Sequence, residues 1–353
     1  MSPRLVSLDA FRGLTIAFMV LVNNNGSERD AYAQLRHSDW HGWTLTDTVF
    51  PTFLWIVGVS ITLSFSRRLA KGAARSTLLL DAVRRAAILF LLGLAVYAFP
   101  LDLSTQRVLG VLQRIALCFL AGAALYLYTN TRGRIITLFA LLATYWVLMF
   151  YVPVPGYGPG RLDVEGNFAH YVDRIVLGAH NYHHTKTWDP EGLVSTLPAI
   201  GTTIFGLLAG TLLAARRISR MAVLGAALVV AGLILDHWLP INKKLWTDSF
   251  CLFMAGLDCL LLSAFVWAVD LRGWQAPARP FAILGMNAIA IYMASEFLSE
   301  ALDALHLQHR IYNSVFVPIA SPANASLLYS LAFTATMYLL AYFLYRRHWI
   351  IRV

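Results

Sequence analysis

Charge is scarce in this sequence. Asp, Glu, Lys and Arg make up 13% of its 353 residues, about half the share of an ordinary soluble domain. That scarcity excludes a disordered chain, which combines high charge with little apolar content, and argues against a typical soluble enzyme. Cysteine is sparse too. Cys118, Cys251 and Cys259 all lie in apolar stretches, which excludes a disulfide-stapled scaffold and leaves no cysteine in a polar loop for an external bridge. The chain has no Gly-rich phosphate loop, no zinc-protease helix and no Gly-x-Ser-x-Gly elbow. It has no internal repeat and no low-complexity tract. No cleavable signal peptide is expected, because the first apolar stretch opens with Asp9 and Arg12 and shows no small-residue cleavage pattern.

Apolar residues are what the chain has in excess. They make up 58% of it, and the mean hydropathy is +0.61. A bilayer-spanning helix needs about 20 mostly apolar residues. Ten such stretches are expected, at about 8–24, 47–66, 80–98, 107–128, 135–152, 193–214, 220–238, 247–269, 281–299 and 326–345. The fold class is therefore all-α: a polytopic membrane helix bundle of about ten transmembrane helices, forming a single integral membrane domain over residues 1–353. The formal net charge of +9 is unevenly spread and reads as the positive-inside bias of insertion rather than as nucleic-acid binding. Arg4, Arg12, the cluster Arg67-Arg68-Lys71-Arg75-Arg84-Arg85, Arg132, Arg134, Arg216, Arg217, Arg220, Arg272, Arg279, Arg346, Arg347 and Arg352 all fall on one side if both termini are inside. The expected topology is N-in/C-in. Long outer segments then cover about 25–46, 153–192 and 300–325, and nine of the ten histidines lie at or beyond the outer ends of the spans. Long polar loops on one face are favoured places for a site.

Several polar constellations stand out. In the first span Asp9 and Arg12 are one turn apart, and Arg12, Ile16, Met19 and Asn23 share one helix face. Arg12 and Asn23 are about 16 Å apart along that face. A cation at one end and an amide at the other suit an elongated ligand; the alternative is an ion pair plus a polar interfacial residue. Just before the second span, His37-Ser38-Asp39-Trp40-His41-Gly42-Trp43-Thr44-Leu45-Thr46-Asp47 gathers histidines, carboxylates and tryptophans. A histidine oriented by a carboxylate is a candidate general base at neutral pH, whereas tryptophans alone would be an aromatic belt. Arg107 and Arg114, seven apart with Gln113 adjacent, are expected on one face of the fourth span and need partners or water there. Asp189 and Glu191 suit a cationic amine, or Asp189 caps a helix before Pro190. Asn242-Lys243-Lys244 precedes the eighth span, and Gly285-Met286-Asn287 favours close packing and an interhelical hydrogen bond. His180-Asn181-Tyr182-His183-His184 lacks an accompanying Cys/His cluster, so no metal is expected.

Seven strings recur in family order: RLVSLDAFRG (4–13), VN (22–23), HSDWHGWTLTDTVFP (37–51), GVLQRIA (110–116), WDPEGLVSTLPAI (188–200), INKKLWT (241–247) and GMNAIAIY (285–292). On them the chain resembles the membrane acetyltransferases related to heparan-α-glucosaminide N-acetyltransferase, including bacterial membrane proteins linked to N-acetylglucosamine use. The resemblance implies transfer of acetyl from cytosolic acetyl-CoA to the amine of a glucosamine-type sugar on the periplasmic side of a bacterial inner membrane. It implies His37 as catalytic histidine with Asn23 beside it, and Asp47 as the residue expected to orient His37. Arg12, Asp9, Asn23, Arg114 and Gln113 are expected to serve acetyl-CoA, and Asp189, Glu191, Trp40 and Lys243 the acceptor. The other expected partners are membrane lipid and, as an open alternative, a second copy of the chain; nucleic acid is not among them. The resemblance departs from the animal enzymes in the NNGSERDAYAQLR loop and in lacking their large lumenal N-terminal domain.

Two rivals share these features. A transporter or flippase of a sugar derivative explains buried charge equally well but calls for internal repeats and broken helix pairs. An O-acyltransferase of an envelope glycan would use the same donor on a hydroxyl. The topology itself is testable: reporter fusions after residues 75, 133, 217 and 275 are expected to report cytoplasm, and those at 160 and 310 the outside. A reversed signal at 160 would put His37 in the wrong compartment.

Overall fold

Two of the helices begin on an asparagine cap. The computed structural model describes residues 5–98 and 102–351; Arg4 and Arg352, counted above among the inner cations, lie outside the described residues. The helices are α1 Val6–Asn23, α2 Val49–Ala70, α3 Arg75–Val96, α4 Val111–Tyr128, α5 Thr131–Tyr151, α6 Phe168–Val176, α7 Thr196–Ala214, α8 Ile218–Leu235, α9 Asp248–Phe265, α10 Gln275–Met286, α11 Ala288–Ala304, α12 Leu307–Ile311 and α13 Pro322–Arg346. Among the described residues there is no β-strand, only two isolated bridges. Asn130 opens α5 by accepting the Gly133 N–H at 2.9 Å, and Asn167 opens α6 by accepting that of His170 at 2.8 Å. After α5 the chain turns through Gly156, Gly158 and Gly160, all at positive φ, which only glycine adopts without strain.

Eight helical segments are long and apolar enough to cross a bilayer: Val6–Asn23, Thr46–Ala70, Val111–Tyr128, Thr131–Tyr151, Thr196–Ala214, Ile218–Leu235, Asp248–Leu271 and Pro322–Arg346. They coincide with eight of the ten expected spans. The expected span at 281–299 falls on α10 and α11, which meet at a 70° bend. The expected span at 80–98 falls on α3, whose first half carries Arg75, Asp81, Arg84 and Arg85. The protein is a multi-pass helical membrane protein, and α5 and α8 turn Ile136, Phe139, Val223, Val230 and Ile234 outward on faces suited to acyl chains.

The chain falls into two compact units, residues 1–39, 43–53 and 261–353 in one and 40–42 and 54–260 in the other. In the first, α1 packs along α10 and against α13. A Cβ at Gly13 would overlap the carbonyl oxygen of Phe281, and one at Gly285 that of Asp9. Gly285 thus gives the close packing that its motif predicted. Asn287 behaves differently from expectation. It sits at the α10–α11 break, only 2% exposed, and its amide donates to the Trp349 carbonyl at 3.1 Å while accepting the Ile351 N–H at 2.9 Å. It binds backbone beyond α13 rather than a neighbouring helix, because the bend has already removed it from a helical face.

In the second unit α4 packs on α3 and α7, and α5 on α6 and α7. A buried cluster of Tyr145, Met149, Ala169, Val194, Leu239 and Leu245 joins α5, α6 and the loop before α9, with Trp40 against it. The long segments expected to be loops are ordered by side chains and short helices. Ser27 and Ser326 exchange hydrogen bonds at 3.1 and 2.9 Å, and α6 occupies the middle of 153–192.

Gly285→Leu tests the α1–α10 approach. Overpacking of this kind costs roughly 1–3 kcal/mol or more, so the variant is expected to unfold at a lower temperature in detergent than the parent, while a surface change such as Leu331→Ala leaves the melting temperature in place.

Candidate active site

A buried carboxylate organises the segment before α2. Asp47 is 1% exposed and lies in the 3₁₀ turn Thr46–Thr48 that leads into that helix. Its Oδ2 accepts the backbone N–H groups of Ser38 and Thr44, each at 3.0 Å, and the Thr44 hydroxyl at 3.1 Å. Its Oδ1 lies 2.7 Å from His37 Nδ1. A carboxylate only accepts, so Nδ1 carries a proton; in the neutral imidazole the lone pair is then on Nε2. The imidazole is 41% exposed, while its carboxylate partner is covered. The single Thr44 hydroxyl proton is shared between Asp47 Oδ2 and the Arg36 carbonyl, the latter at 2.6 Å, which closes the loop on both sides of His37. Sequence reasoning expected Asp47 to orient His37, and the fold places the two side chains in contact.

The same unit carries the α1 face. Arg12 Nη1 stands 3.4 Å from Asp9 Oδ1. Arg12 is half-buried and Asn23 exposed at opposite ends of the face, with Ile16 and Met19 packed in its middle. Ser7, one turn before, hydrogen-bonds Asp270 through both its hydroxyl and its N–H.

In the other unit the polar centre is Arg107. Gly110, extended at φ −159°, starts α4 only at Val111, so Arg107 lies before the helix and does not share a face with Arg114 as their spacing suggested. It is nonetheless buried. Its Nε and Nη2 form a fork on Asp189 at 2.8 and 2.6 Å, Nη2 also reaches Glu191 at 2.5 Å, and the guanidinium lies over the rings of Tyr97 and Tyr182. Burial works against this cation, but the bond to Asp189 and the charge of Glu191 hold its pKa well above the usual value. Burial likewise raises Glu191, and Arg107 and Lys243 outweigh it and keep that carboxyl below its usual range. Asp189 and Glu191, expected at the acceptor, therefore face Arg107, with half-buried Lys243 as a further cation near Glu191.

Arg114 is 1% exposed. Its Nη2 donates to the Gly192 carbonyl at 2.9 Å and to Ser195 Oγ at 2.5 Å, and its guanidinium lies over Trp246. Trp246 has φ +53°, strained for so bulky a residue, and its indole donates to Thr202 at 3.0 Å. Among the described residues, Arg114 Nε and Nη1 and both amide atoms of Gln113 are buried without a hydrogen-bond partner. Trp40 donates to the Leu162 carbonyl at 2.9 Å and meets Trp188 edge-on.

Sequence reasoning passed over two residues of α6. His170 stacks on Trp188 at 4.1 Å and 10°, its Nδ1 bonds the Val164 carbonyl, and burial lowers its pKa to about 3, so it stays neutral. Asp173 holds the backbone of the 189–193 turn. An isolated His and Asp in an amphipathic stretch carry no motif that would have marked them. His41 contacts Asn242 at 3.4 Å; burial lowers its pKa against the opposing pull of Asp236.

Arg107→Ala would leave two buried carboxylates without their cation, a loss of about 3–5 kcal/mol in comparable pairs. The variant is expected to show a much lower melting temperature and poor recovery from the membrane, with Arg107→Lys intermediate because an ammonium cannot make the fork. Parent-like melting of Arg107→Ala would mean that the carboxylates are relieved by water instead.

Residues 4–241 match the family described as heparan-alpha-glucosaminide N-acetyltransferase, catalytic. The chain is 29% identical to heparan-alpha-glucosaminide N-acetyltransferase of Mus musculus, over 88% of this chain and 57% of that protein. It is 28% identical to the Homo sapiens protein of the same name, over 98% and 59%. It thus spans less than three-fifths of the length of these curated relatives. With a match across more than half of its own length, this chain belongs to the heparan-alpha-glucosaminide N-acetyltransferase catalytic family.

Proposed function

We propose that this protein transfers acetyl from cytosolic acetyl-CoA to the amine of a glucosamine-type sugar on the periplasmic side of a bacterial inner membrane. The observation that carries the reading is the His37–Asp47 pair: an accessible imidazole whose tautomer and direction are set by a buried carboxylate at 2.7 Å. That is what a general base needs. Family membership supplies the reaction class.

In this reaction the amine attacks the thioester carbon and His37 Nε2 takes the proton that the nitrogen sheds. The C–N bond forms, the tetrahedral intermediate collapses, the C–S bond breaks, and the proton returns to the departing thiolate. Asp47 stabilises the imidazolium between the two transfers, and Asn23 is assigned to the oxyanion. The same pair also serves a route in which Nε2 first takes the acetyl group itself. Arg12, held by Asp9, supplies a cation for a donor that is polyanionic at one end. The unmet hydrogen-bonding capacity of Gln113 and of Arg114 Nε and Nη1 suits the amide and thioester oxygens of the pantetheine arm. In this reading Asp189 and Glu191 act through Arg107, while Lys243 and the aromatic surface of Trp40 serve the acceptor.

The transporter alternative loses support, because a single bent helix pair is found among the described residues and that fold plan uses corresponding pairs. Amine and hydroxyl acceptors are separated by the product, since an amide survives hydroxylamine and an ester does not.

Purified His37→Ala is expected to bind acetyl-CoA and to transfer acetyl to glucosamine about 10²- to 10⁴-fold more slowly than the parent. His41→Ala, four residues on and bonded elsewhere, is expected to lose far less. Rapid-quench mass spectrometry of the parent protein separates direct transfer from an acetyl-histidine. Full activity in His37→Ala would remove this histidine from the mechanism.

A further inference from the structure

The turn that carries Asp189 and Glu191 is closed by its own bonds, from the Gly192 N–H to the Asp189 carbonyl and from the Glu191 N–H to Asp189 Oδ1, each at 2.9 Å, and it is anchored from outside as well. Asp173, 1% exposed on the buried face of α6, reaches it from sixteen residues earlier. Its Oδ2 accepts the N–H of Asp189 at 3.3 Å and its Oδ1 that of Leu193 at 3.0 Å. Between these anchors lies Gly192, where any side chain would overlap the Asp173 carboxylate. The glycine of the Trp-Asp-Pro-Glu-Gly string is therefore required by a residue outside the string. What the turn presents is functional on both sides. Asp189 and Glu191 hold Arg107, and the Gly192 carbonyl and Ser195 hold Arg114. α6 is fixed in turn by its Asn167 cap and by Asn181, whose amide donates to the Asp173 carbonyl at 3.2 Å.

We infer that Asp173 is a positioning residue for acetyl transfer, and that a single proton on its carboxylate loosens the turn that orients Arg107 and Arg114. The functional half of this inference rests on the assignment of Arg114 to the acetyl donor. As a carboxylate, Asp173 offers an acceptor oxygen to each of two backbone N–H groups. As a carboxylic acid, it keeps one such oxygen, while the other bears a proton that points at an N–H donor. One of the two anchors is lost. Burial opposes its ionisation most and the charge of Asp189 adds to it; together they outweigh the two backbone N–H bonds and the charge of Arg114 and lift the carboxyl to about 6. On α6 itself, His170 stays neutral through this range, and Arg174 donates to the Glu165 carbonyl. The change therefore falls just below neutral pH.

Asp173→Asn reproduces the protonated form at every pH, with one acceptor and one amide N–H₂ group. Purified parent and variant are to be assayed with acetyl-CoA and glucosamine between pH 5 and 8, reading KM for acetyl-CoA apart from kcat. In the parent, KM is expected to rise as pH falls through about 6. In Asp173→Asn it is expected to be raised roughly tenfold at pH 7.5, the scale of one lost hydrogen bond to a charged group, and to be flat across that range. Reading KM apart from kcat keeps effects on the chemical step out of the comparison. Hydrogen–deuterium exchange of peptides covering 188–195 supplies a readout that does not depend on activity: faster exchange is expected in the variant at pH 7.5 and in the parent at pH 5 after correction for the intrinsic rate. Unchanged exchange, or a variant KM that keeps the parent's pH dependence, overturns the inference. If exchange responds as expected but the parent transfers acetyl to no amino sugar, the proposed function falls and the role of Asp173 in the reaction falls with it. If Asp173→Asn fails to fold, the parent's own exchange at pH 5 and 7.5 decides the matter.

Discussion

A charge withdrawn from water into a membrane protein must be met by another polar group, because neither acyl chains nor packed side chains will solvate it. This constraint decides the form of both units. In one, Asp47 collects two backbone N–H groups, a hydroxyl and an imidazole, and the path of residues 37–47 follows from those bonds. In the other, Arg107 collects two carboxylates and two aromatic faces, and the segment that brings those carboxylates is itself hung on Asp173. The segments between spans are long because they must supply partners, and they are ordered because the partners are used.

Two histidines on these segments show how different the environments of one side chain can be. His37 is open on one side and directed by a carboxylate. His170 is enclosed, stacked on Trp188, and bonded to a backbone carbonyl that fixes its tautomer without adding charge. Burial keeps His170 neutral across the working pH range, so it contributes shape. The same side chain is half open and carboxylate-bound in one place and walled in at the other, and the difference lies in exposure and in the partner of Nδ1.

The spans were legible because twenty apolar residues have few other uses, and Gly285 was legible because small residues at helix contacts have a steric reason. His37, Asp47, Asp9 and Arg12 could be named because ionisable groups beside apolar stretches are costly and need a cause. What could not be read was pairing over distance. Arg107 and Arg114 looked like neighbours on a helix face, since nothing in a hydropathy pattern says that Gly110 delays the helix. Asp189 and Glu191 looked available for an amine because their counterion lies 82 residues away. Asp173 was invisible because its ligands are backbone N–H groups, which every residue but proline possesses. The break at Asn287 was hidden for a similar reason: its amide is satisfied by main chain beyond α13.

The distance between Arg107 and its carboxylates also bears on how the protein is made. Arg107 leaves the ribosome 82 residues before Asp189 and 84 before Glu191. Through that interval α4 and α5 are synthesised and enter the bilayer while the guanidinium still lacks its counterions. A bare cation will not settle into a low-dielectric interior, so the stretch before α4 has to stay hydrated until the segment leading into α7 has been made. Final packing of α4 in this unit is thereby postponed to a late step of biogenesis. Chains arrested between residues 114 and 188 would be expected to carry an unfinished, water-exposed α4 entrance, a natural mark for membrane quality control.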